Sequence, residues 1–427
     1  MPNVVDIEPG RGYTVVRSLF DLDDQALGLS ARRRTTRAHR RRRTAAGLLA
    51  VGVLGAGVVY AVREGSTPPP YDDIPISAWA PYWVLPEAVA SVTQHGSTLH
   101  ELSPFWYSAT GTTTIEFDAD SSDARPQQLI TAARERGAKV LPSIVDGMPA
   151  GGMAAVLADP TTRTQHVSTI VDLVQQGGFD GIDIDYEQFA FADERATWAT
   201  TRPNWVEFIE ELATALHADG LLLTVSIPPI YDGDRNSESG YWVYDYAAIG
   251  EHVDRIRIMG YDYSVGEAGP IAPIDWVRGA VRAAKDAVDD DDKLVLGVPL
   301  YGRNWVVATT GTCPESAEGT TAVTQATVAD LVDKRGATPE HDPGTAEASF
   351  QYQLDVSEGG VSCTQTRQVH YVDATGARAR VDLAREERIG GVAFWALGFD
   401  SQDTWDAVTD VARPRPTDTV LVDDTTG

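Results

Sequence analysis

Short apolar runs alternate along the chain with segments of helical periodicity. Eight of these runs have the length and composition of buried strands. They cover residues 76–80, 102–107, 139–144, 181–186, 221–227, 255–259, 294–300 and 391–396. Helices are predicted between them, for example at 126–136, 161–176 and 204–218, each with a glycine just beyond its end. This alternation predicts an α/β fold, the closed (β/α)8 TIM barrel.

The stretch between the seventh and eighth predicted strands is too long for a loop. It covers about residues 303–378 and contains strand-like pieces at 349–354 and 368–372. Loops without secondary structure rarely exceed about 15 residues in a compact domain. We therefore expect a small α+β insertion on the rim of the barrel.

The chain has two cysteines, Cys313 and Cys363, both within this predicted insertion. Neither has a second cysteine or a histidine at zinc-ligand spacing, so no metal site is expected there. If the domain lies outside the cytoplasm, we expect the two to pair as a disulfide. If the chain stays inside, two buried thiols are favoured.

An arginine-rich segment near the N-terminus leads into an uncharged apolar run. The run covers residues 44–62, close to the roughly 20 residues that span a bilayer as a helix. The arginines should keep residues 1–43 in the cytoplasm, which places the chain from residue 63 onward outside the membrane. A basic nucleic-acid-binding arm before a buried helix is a poorer account, because the run has no polar face.

Two outcomes of this export remain open. The first is an uncleaved, single-pass anchor, which is favoured because ordinary signal peptides run only about 15 to 30 residues in all. The second is secretion after cleavage near Ala61. Beyond the run, residues 63–73 form a linker with a proline-rich spacer, and 74–412 form the catalytic barrel. The segments 1–43 and 413–427 are expected to be disordered.

Charge narrows the possible partners of the folded part. The formal net charge is -27, and ten arginines but only five acidic residues precede residue 63. The remainder, with 25 basic and 57 acidic residues, carries a charge of about -32. Phosphate backbones would be repelled, so nucleic-acid binding is not expected. A neutral polysaccharide is the easier partner.

The most informative segment places Asp183, Asp185 and Glu187 two residues apart on the fourth predicted strand. All three then project to one face. Carboxyls that converge inside a barrel cannot all ionise freely, so at least one pKa should be raised, as a general acid requires. The alternatives are a solvated edge strand and a divalent cation site, which would usually draw ligands from loops as well.

The spacing of Asp180, Gly181 and the three acidic residues resembles the signature of glycoside hydrolase family 18, the chitinase-like enzymes. Further motifs follow on later strands in that family's order. They are Met259, Tyr261 and Asp262 after the sixth strand, GlyValProLeuTyrGlyArg ending at Arg303 on the seventh, and Trp395 on the eighth. The resemblance extends over most of residues 74–410.

The resemblance implies a retaining, substrate-assisted mechanism without an enzyme nucleophile, cofactor or metal. Glu187 would protonate the departing glycosidic oxygen, and the sugar's own 2-acetamido group would attack the anomeric carbon. Asp185 would hold the acetamido N–H, and Asp183 would bias the ionisation of Asp185. Tyr261 would hydrogen-bond the acetamido oxygen.

The resemblance also implies a set of substrate-binding residues. Trp395 would form the floor beneath the distorted sugar, and Asp262 would shape the subsite, with Met259 and Arg303 nearby in the motifs. Trp395 could instead be a core residue, and Tyr261 could simply cap a strand. Two further aromatic residues, Trp83 and Trp106, are candidate sugar contacts, with core packing as the alternative for each.

The chain departs from many chitinases at the third strand, where Ser143, Ile144, Val145 and Asp146 replace SerxGlyGly. The second strand and the segment 370–374 look more like the bacterial wall- and spore-associated branch. We therefore expect hydrolysis of β-1,4 linkages next to N-acetylglucosamine in a chitin-like or peptidoglycan glycan. The alternative is a catalytically silent sugar-binding surface protein, which would most simply have lost Glu187 or Asp185.

Overall fold

The computed structural model describes residues 73–231 and 239–413. The predicted basic segment 1–43, the predicted membrane helix 44–62 and the tail beyond residue 413 lie outside the described residues. Within the described ranges, no helix combines the length and the hydropathy needed to cross a bilayer.

Eight parallel strands form a closed barrel, as predicted. They are Ile76–Pro81, Leu99–Gly111, a third strand split into Lys139–Val140 and Ser143–Asp146, then Gly181–Asp185, Leu222–Ile227, Arg255–Ile258, Leu294–Pro299 and Gly391–Trp395. The first strand pairs in parallel with both the second and the eighth, which closes the sheet. An extra antiparallel strand, Thr114–Phe117, extends the second strand as a hairpin.

Alternation along the strands separates the interior of the barrel from the layer beneath the helices. On Gly181–Asp185, Ile182 and Ile184 are fully buried in the main hydrophobic core. Asp183, between them, points to the opposite side. The barrel interior therefore receives the polar side chains of this strand.

Helices surround the barrel at Leu85–His95, Arg125–Glu135, Gly152–Ala158, Pro160–Gly177, Gln188–Phe191, Trp198–Ala218, Tyr246–Gly250, Ile274–Lys285, Ala374–Glu387 and Gln402–Val408. Pro160–Gly177 shows the local reasons for its limits. Asp159 accepts a hydrogen bond from the backbone N–H of Thr161 at 2.7 Å, and Gly178 follows with a φ of 58°. The predicted helix 204–218 begins earlier in the structure, at Trp198.

The predicted insertion is a five-stranded antiparallel sheet with one helix. Its elements are Tyr301–Gly311, Thr321–Thr324, the helix Gln325–Arg335, Glu340–Asp342, Glu347–Glu358 and Val361–Tyr371. A small core of its own includes Val323, Phe350 and Val369. The segment ends a little before the expected residue 378, because the helix from Ala374 packs on the barrel. A disulfide joins Cys313 to Cys363 within it.

The chain enters and leaves the barrel at the same place. Ile74, just before the first strand, pairs in parallel with Ala412. The N–H of Ile74 donates to the carbonyl of Val411 at 2.9 Å, and the N–H of Arg413 donates to the carbonyl of Ile74 at 2.8 Å. This seam lies at the N-terminal end of the strands, opposite the end where the sites of barrel enzymes are found.

Candidate active site

The three acidic residues of the fourth strand are brought together inside the barrel. We call Asp183, Asp185 and Glu187 the acidic cluster. Asp183 and Asp185 lie within the strand, and Glu187 follows just beyond its C-terminal end. All three are buried, with at most 6% of their surface exposed. The alternative of a solvated edge strand is therefore excluded, because this strand is a central strand of the barrel with neighbours on both sides.

Asp183 is fixed by donors from four other strands. Its carboxylate accepts hydrogen bonds from Nε1 of Trp79 at 2.9 Å, Oγ of Ser143 at 2.6 Å, Oγ of Ser226 at 2.8 Å and Nη1 of Arg257 at 3.1 Å. A carboxylate has about four acceptor positions, so these bonds occupy most of its capacity. Asp183 is consequently held at the centre of the barrel with little freedom to rotate.

Asp185, in contrast, has an oxygen that can still accept a hydrogen bond. Among the described residues, its Oδ1 has no hydrogen-bond partner although it is buried. Burial raises the pKa of Asp185 well above its usual range, and the neighbouring carboxyls of Glu187, Asp183 and Asp146 raise it further. Its unpartnered oxygen therefore remains available to a bound molecule.

Glu187 has the ionisation behaviour of a general acid. Burial raises the pKa of its carboxyl from 4.5 to about 8, and the nearby charge of Asp262 adds to this rise. The group is thus largely protonated at pH 7. A carboxylic acid that keeps its proton near neutral pH can donate it to a leaving oxygen.

Asp146 is a site residue whose role sequence reasoning missed. It is fully buried at the end of the third strand and accepts the backbone N–H groups of Glu187 at 3.2 Å and Gln188 at 3.0 Å. The side chain of Gln188 donates in return to the backbone carbonyls of Asp146 at 2.5 Å and Met148 at 2.7 Å. These bonds hold the backbone that carries Glu187. The only signal in the sequence was the departure from SerxGlyGly.

Tyr261 lies beside the acidic cluster. Burial raises the pKa of its hydroxyl well above the usual range, and the charges of Asp185 and Glu187 act in the same direction. The phenol therefore remains a hydrogen-bond donor at any physiological pH. Met259, two residues earlier, is buried and donates its N–H to the carbonyl of Ile227 at 3.1 Å.

Asp262 connects the acidic cluster to the insertion. Its Oδ1 accepts hydrogen bonds from the Tyr301 hydroxyl at 2.7 Å and from Nη2 of Arg303 at 2.9 Å. Asp262 itself has a φ of 57°, an unusual conformation for a residue with a side chain. The predicted residues Asp262 and Arg303 are thus in contact, and they join the sixth strand to the first strand of the insertion.

Trp395 stands at the end of the eighth strand among other aromatic rings. Its ring centroid lies 5.7 Å from Trp79, 5.0 Å from Phe105 and 6.4 Å from Trp83. Trp395 is only partly buried, and 37% of the surface of Trp83 is exposed. These two rings present an open aromatic surface beside the acidic cluster.

Trp106, for which both a sugar contact and core packing were expected alternatives, does not share this position. Only 2% of its surface is exposed, and its ring packs against Phe117 at 5.7 Å between centroids. Successive residues of a strand face opposite sides, and Phe105 already faces Trp395. Trp106 is therefore a packing residue.

Known proteins resemble this chain in sequence over part of their length. The chain is 30% identical over 251 residues to YdhD of Bacillus subtilis, provisionally named a sporulation-specific glycosylase, covering 57% of this chain and 53% of that protein. It is 27% identical to the cortical fragment-lytic enzyme of the same organism over 261 residues, 60% of this chain and 55% of that enzyme. The chain thus spans little more than half the length of these two relatives.

Solved structures share the fold. A chitinase from Chromobacterium violaceum superimposes with a TM-score of 0.66 and 24% identity, covering 80% of this chain and 100% of that one. The spore cortex-lytic enzyme SleL of Bacillus megaterium gives 0.66 and 20% identity, covering 82% of this chain and 76% of that one.

A family profile agrees with the motifs and with the barrel. The profile of Glycosyl hydrolases family 18 matches residues 90–400, which is most of the chain and includes the acidic cluster, Tyr261, Asp262 and Trp395. The chain therefore belongs to family 18 of the glycosyl hydrolases.

Proposed function

We propose that this protein is a retaining glycoside hydrolase that cleaves β-1,4 linkages next to N-acetylglucosamine. The observation that carries the proposal is the state of two neighbouring carboxyls. Glu187 keeps a proton near neutral pH, and Asp185 has a buried oxygen without a partner among the described residues. A proton donor beside a free acceptor is what substrate-assisted cleavage requires.

Glu187 donates its proton to the glycosidic oxygen as the bond to the anomeric carbon breaks. The carbonyl oxygen of the sugar's own 2-acetamido group attacks that carbon from the opposite face and forms a cyclic oxazolinium ion. Water, deprotonated by the Glu187 carboxylate, then opens this ion. Two inversions leave the anomeric configuration unchanged and return the proton to Glu187.

The other residues of the site orient the acetamido group. Asp185 accepts its N–H through the free oxygen, and Tyr261 donates its hydroxyl to the acetamido oxygen. Asp183, held by its four donors, limits where Asp185 can lie. Trp395 and Trp83 offer aromatic faces for the apolar faces of sugar rings.

We favour a bacterial wall or spore glycan over chitin as the polymer. The likeness to the cortical fragment-lytic enzyme supports this choice. Chitin-like oligosaccharides carry the same acetamido group and remain suitable test substrates.

The decisive experiment compares the full-length protein with Glu187→Gln and Asp185→Asn on N-acetylglucosamine oligomers and on purified peptidoglycan. Glu251→Gln, at an exposed glutamate, serves as the matched control. We expect reducing-end release by wild type and the control, with a loss of about 10³-fold or more in both site variants. Proton NMR should find the newly formed reducing end first as the β-anomer.

The opposite result is equally informative. If the folded wild type binds the oligomers but cleaves neither polymer, the hydrolase proposal fails and the chain is a sugar-binding surface protein. If Glu187→Gln cleaves at the wild-type rate, Glu187 is not the general acid.

We also propose that the barrel works outside the cytoplasm, held by residues 44–62 as a single-pass anchor. The arginine-rich leader supports this orientation, and the Cys313–Cys363 disulfide is of a kind that oxidising compartments maintain. Membrane fractionation of expressing cells, with external protease added to intact cells, tests it. A shortened soluble form in the medium would favour cleavage near Ala61, and protease resistance of intact cells would contradict export.

A further inference from the structure

A buried arginine lies beneath the acidic cluster. Arg257, on the sixth strand, has no exposed surface. Its Nη1 donates to Oγ of Ser103 at 2.6 Å and to Oδ2 of Asp183 at 3.1 Å, and its Nη2 donates to Oε2 of Glu101 at 3.4 Å. A buried cation is tolerated when it is paired and hydrogen-bonded in this way. The arginine is therefore built into the barrel interior.

Arg257 is also connected to Trp395, through the side chain of Trp79. The guanidinium carbon lies 4.9 Å from the ring centroid of Trp79, a cation–π distance. Nε1 of Trp79 donates to Asp183 at 2.9 Å, and its ring meets Trp395 edge-on at 5.7 Å. Arg257, Trp79 and Asp183 thus form one packed unit between the base of the barrel and the sugar-binding floor.

The charges around this unit are mostly negative. Glu101 approaches Arg257 from the second strand and has Arg255 as a second, more distant partner at 3.8 Å. Asp183 and Asp185 belong to the fourth strand. The outer charged and titratable groups are Asp146, Glu187, Tyr261 and Asp262.

Arg257 opposes this negative field. It lowers the pKa of Asp185, whereas burial and the neighbouring carboxyls all raise it. Its direct ion pair with Asp183 is fully buried on both sides, where solvent screens little.

We propose that Arg257 is a positioning residue for the hydrolase reaction, fixing Asp183 as an acceptor and offsetting the negative charge of the acidic cluster, so that the cluster can hold an ionised carboxylate beside the protonated Glu187. This inference rests on the proposed function. By this inference, Arg257 on the sixth strand determines the pH range in which the acidic cluster supports hydrolysis.

The test is the pH dependence of kcat and KM in three variants of the full-length protein. Arg257→Met removes the positive charge, so Asp185, whose ionisation would set the acid limb, should ionise only at higher pH. We expect the acid limb of kcat/KM to move up by about one pH unit and kcat to fall by about 10²-fold. Arg257→Lys keeps the charge but not the two-pronged geometry, so the limb should stay within about 0.3 pH unit while kcat falls about tenfold.

Glu101→Gln provides a change of opposite sign, and it keeps the inference testable if Arg257→Met does not fold. It removes the competing anion from Arg257, so the acid limb should move to lower pH. A purely structural role of Arg257 would lower kcat in its variants and leave every limb in place.

A readout that does not need activity is the titration of carboxyl-13C-labelled aspartate, with the Asp185 resonance identified by Asp185→Asn. A raised pKa of Asp185 in Arg257→Met supports the inference. An unchanged titration, or an unmoved acid limb in an active and folded Arg257→Met, overturns it and leaves the proposed function intact. Absence of cleavage by the wild type would instead refute the proposed function, and the labelled titration would still show whether Arg257 controls the cluster.

Discussion

Replacing the buried acid Glu187 by glutamine should stabilise the fold, and the gain should depend on pH. The carboxyl has its ordinary pKa of 4.5 in the unfolded chain and a pKa of about 8 in the fold. A carboxyl whose pKa is raised on folding contributes most to the free energy of unfolding below its unfolded pKa. That contribution to stability is lost as the pH rises through the folded pKa. Glutamine has nearly the same shape and never ionises, so it escapes this loss.

The size of the effect follows from the two pKa values. One pKa unit corresponds to about 1.4 kcal/mol, so ionising Glu187 in the fold costs on the order of 5 kcal/mol above pH 8. At pH 7 the same relation leaves about 3 kcal/mol, and at pH 4 close to nothing. Glu187→Gln should therefore match the wild type in acid and exceed it increasingly toward alkaline pH.

Urea unfolding of both proteins at pH 4, 7 and 9 measures this difference in the free energy of unfolding. Glu251→Gln is the control. Because Glu251 is exposed, this variant should have the same free energy of unfolding as the wild type at every pH. Parallel stability curves for Glu187→Gln and the wild type would refute the reasoning, since they would mean that the fold does not favour the protonated form of Glu187. The assignment of Glu187 as general acid would then lose its physical basis.

The remaining predictions concern the same site and the insertion. With an N-acetylglucosamine oligomer as substrate, the alkaline limb of kcat/KM should lie near pH 8. Asp262→Asn should move this limb to lower pH, because the substitution removes a charge that raises the pKa of Glu187. An unmoved limb would contradict this coupling. Asp146→Asn should lower kcat by about 10²-fold with little change in KM, because an amide can accept only one of the two backbone N–H groups that position Glu187; a kcat within twofold of wild type would show that these bonds are dispensable. Joint replacement of Cys313 and Cys363 by serine should lower the free energy of unfolding of the insertion by about 2 to 4 kcal/mol, since the disulfide closes a separation of 50 residues. Urea unfolding measures this difference. An unchanged unfolding midpoint would mean that the sheet stabilises the insertion without help from the disulfide.

The barrel and the acidic cluster could be predicted because both depend on local periodicity. A buried parallel strand is a short apolar run bounded by turns, and the spacing of Asp183, Asp185 and Glu187 placed them on one face of such a run. The approximate position of the insertion followed from its length alone. These features need no knowledge of which strands are neighbours in space.

Features that depend on contacts between distant strands could not be predicted in this way. Arg257 stands in a run with Arg255, and the sequence does not distinguish an inward from an outward arginine. Asp146 holds the backbone of Glu187 because the third and fourth strands are neighbours in the barrel, which the sequence does not show. For Trp106 a sugar contact and core packing both remained open, because aromatic composition does not reveal which side of a strand one residue faces. In the structure its neighbour Phe105 is the residue whose ring contacts Trp395.

The seam between Ile74 and Ala412 brings both chain connections of the barrel to one end. Both connections meet the barrel at its lower rim, while the carboxyls open at the upper one, about 20 Å away for a strand of six residues. A tether joined ahead of residue 73 would therefore pull along the barrel axis from behind the cleft. If residues 44–62 anchor the domain in a membrane, as proposed above, the cleft would open on the side away from the bilayer. Rotation of the domain about the barrel axis would then leave the cleft accessible.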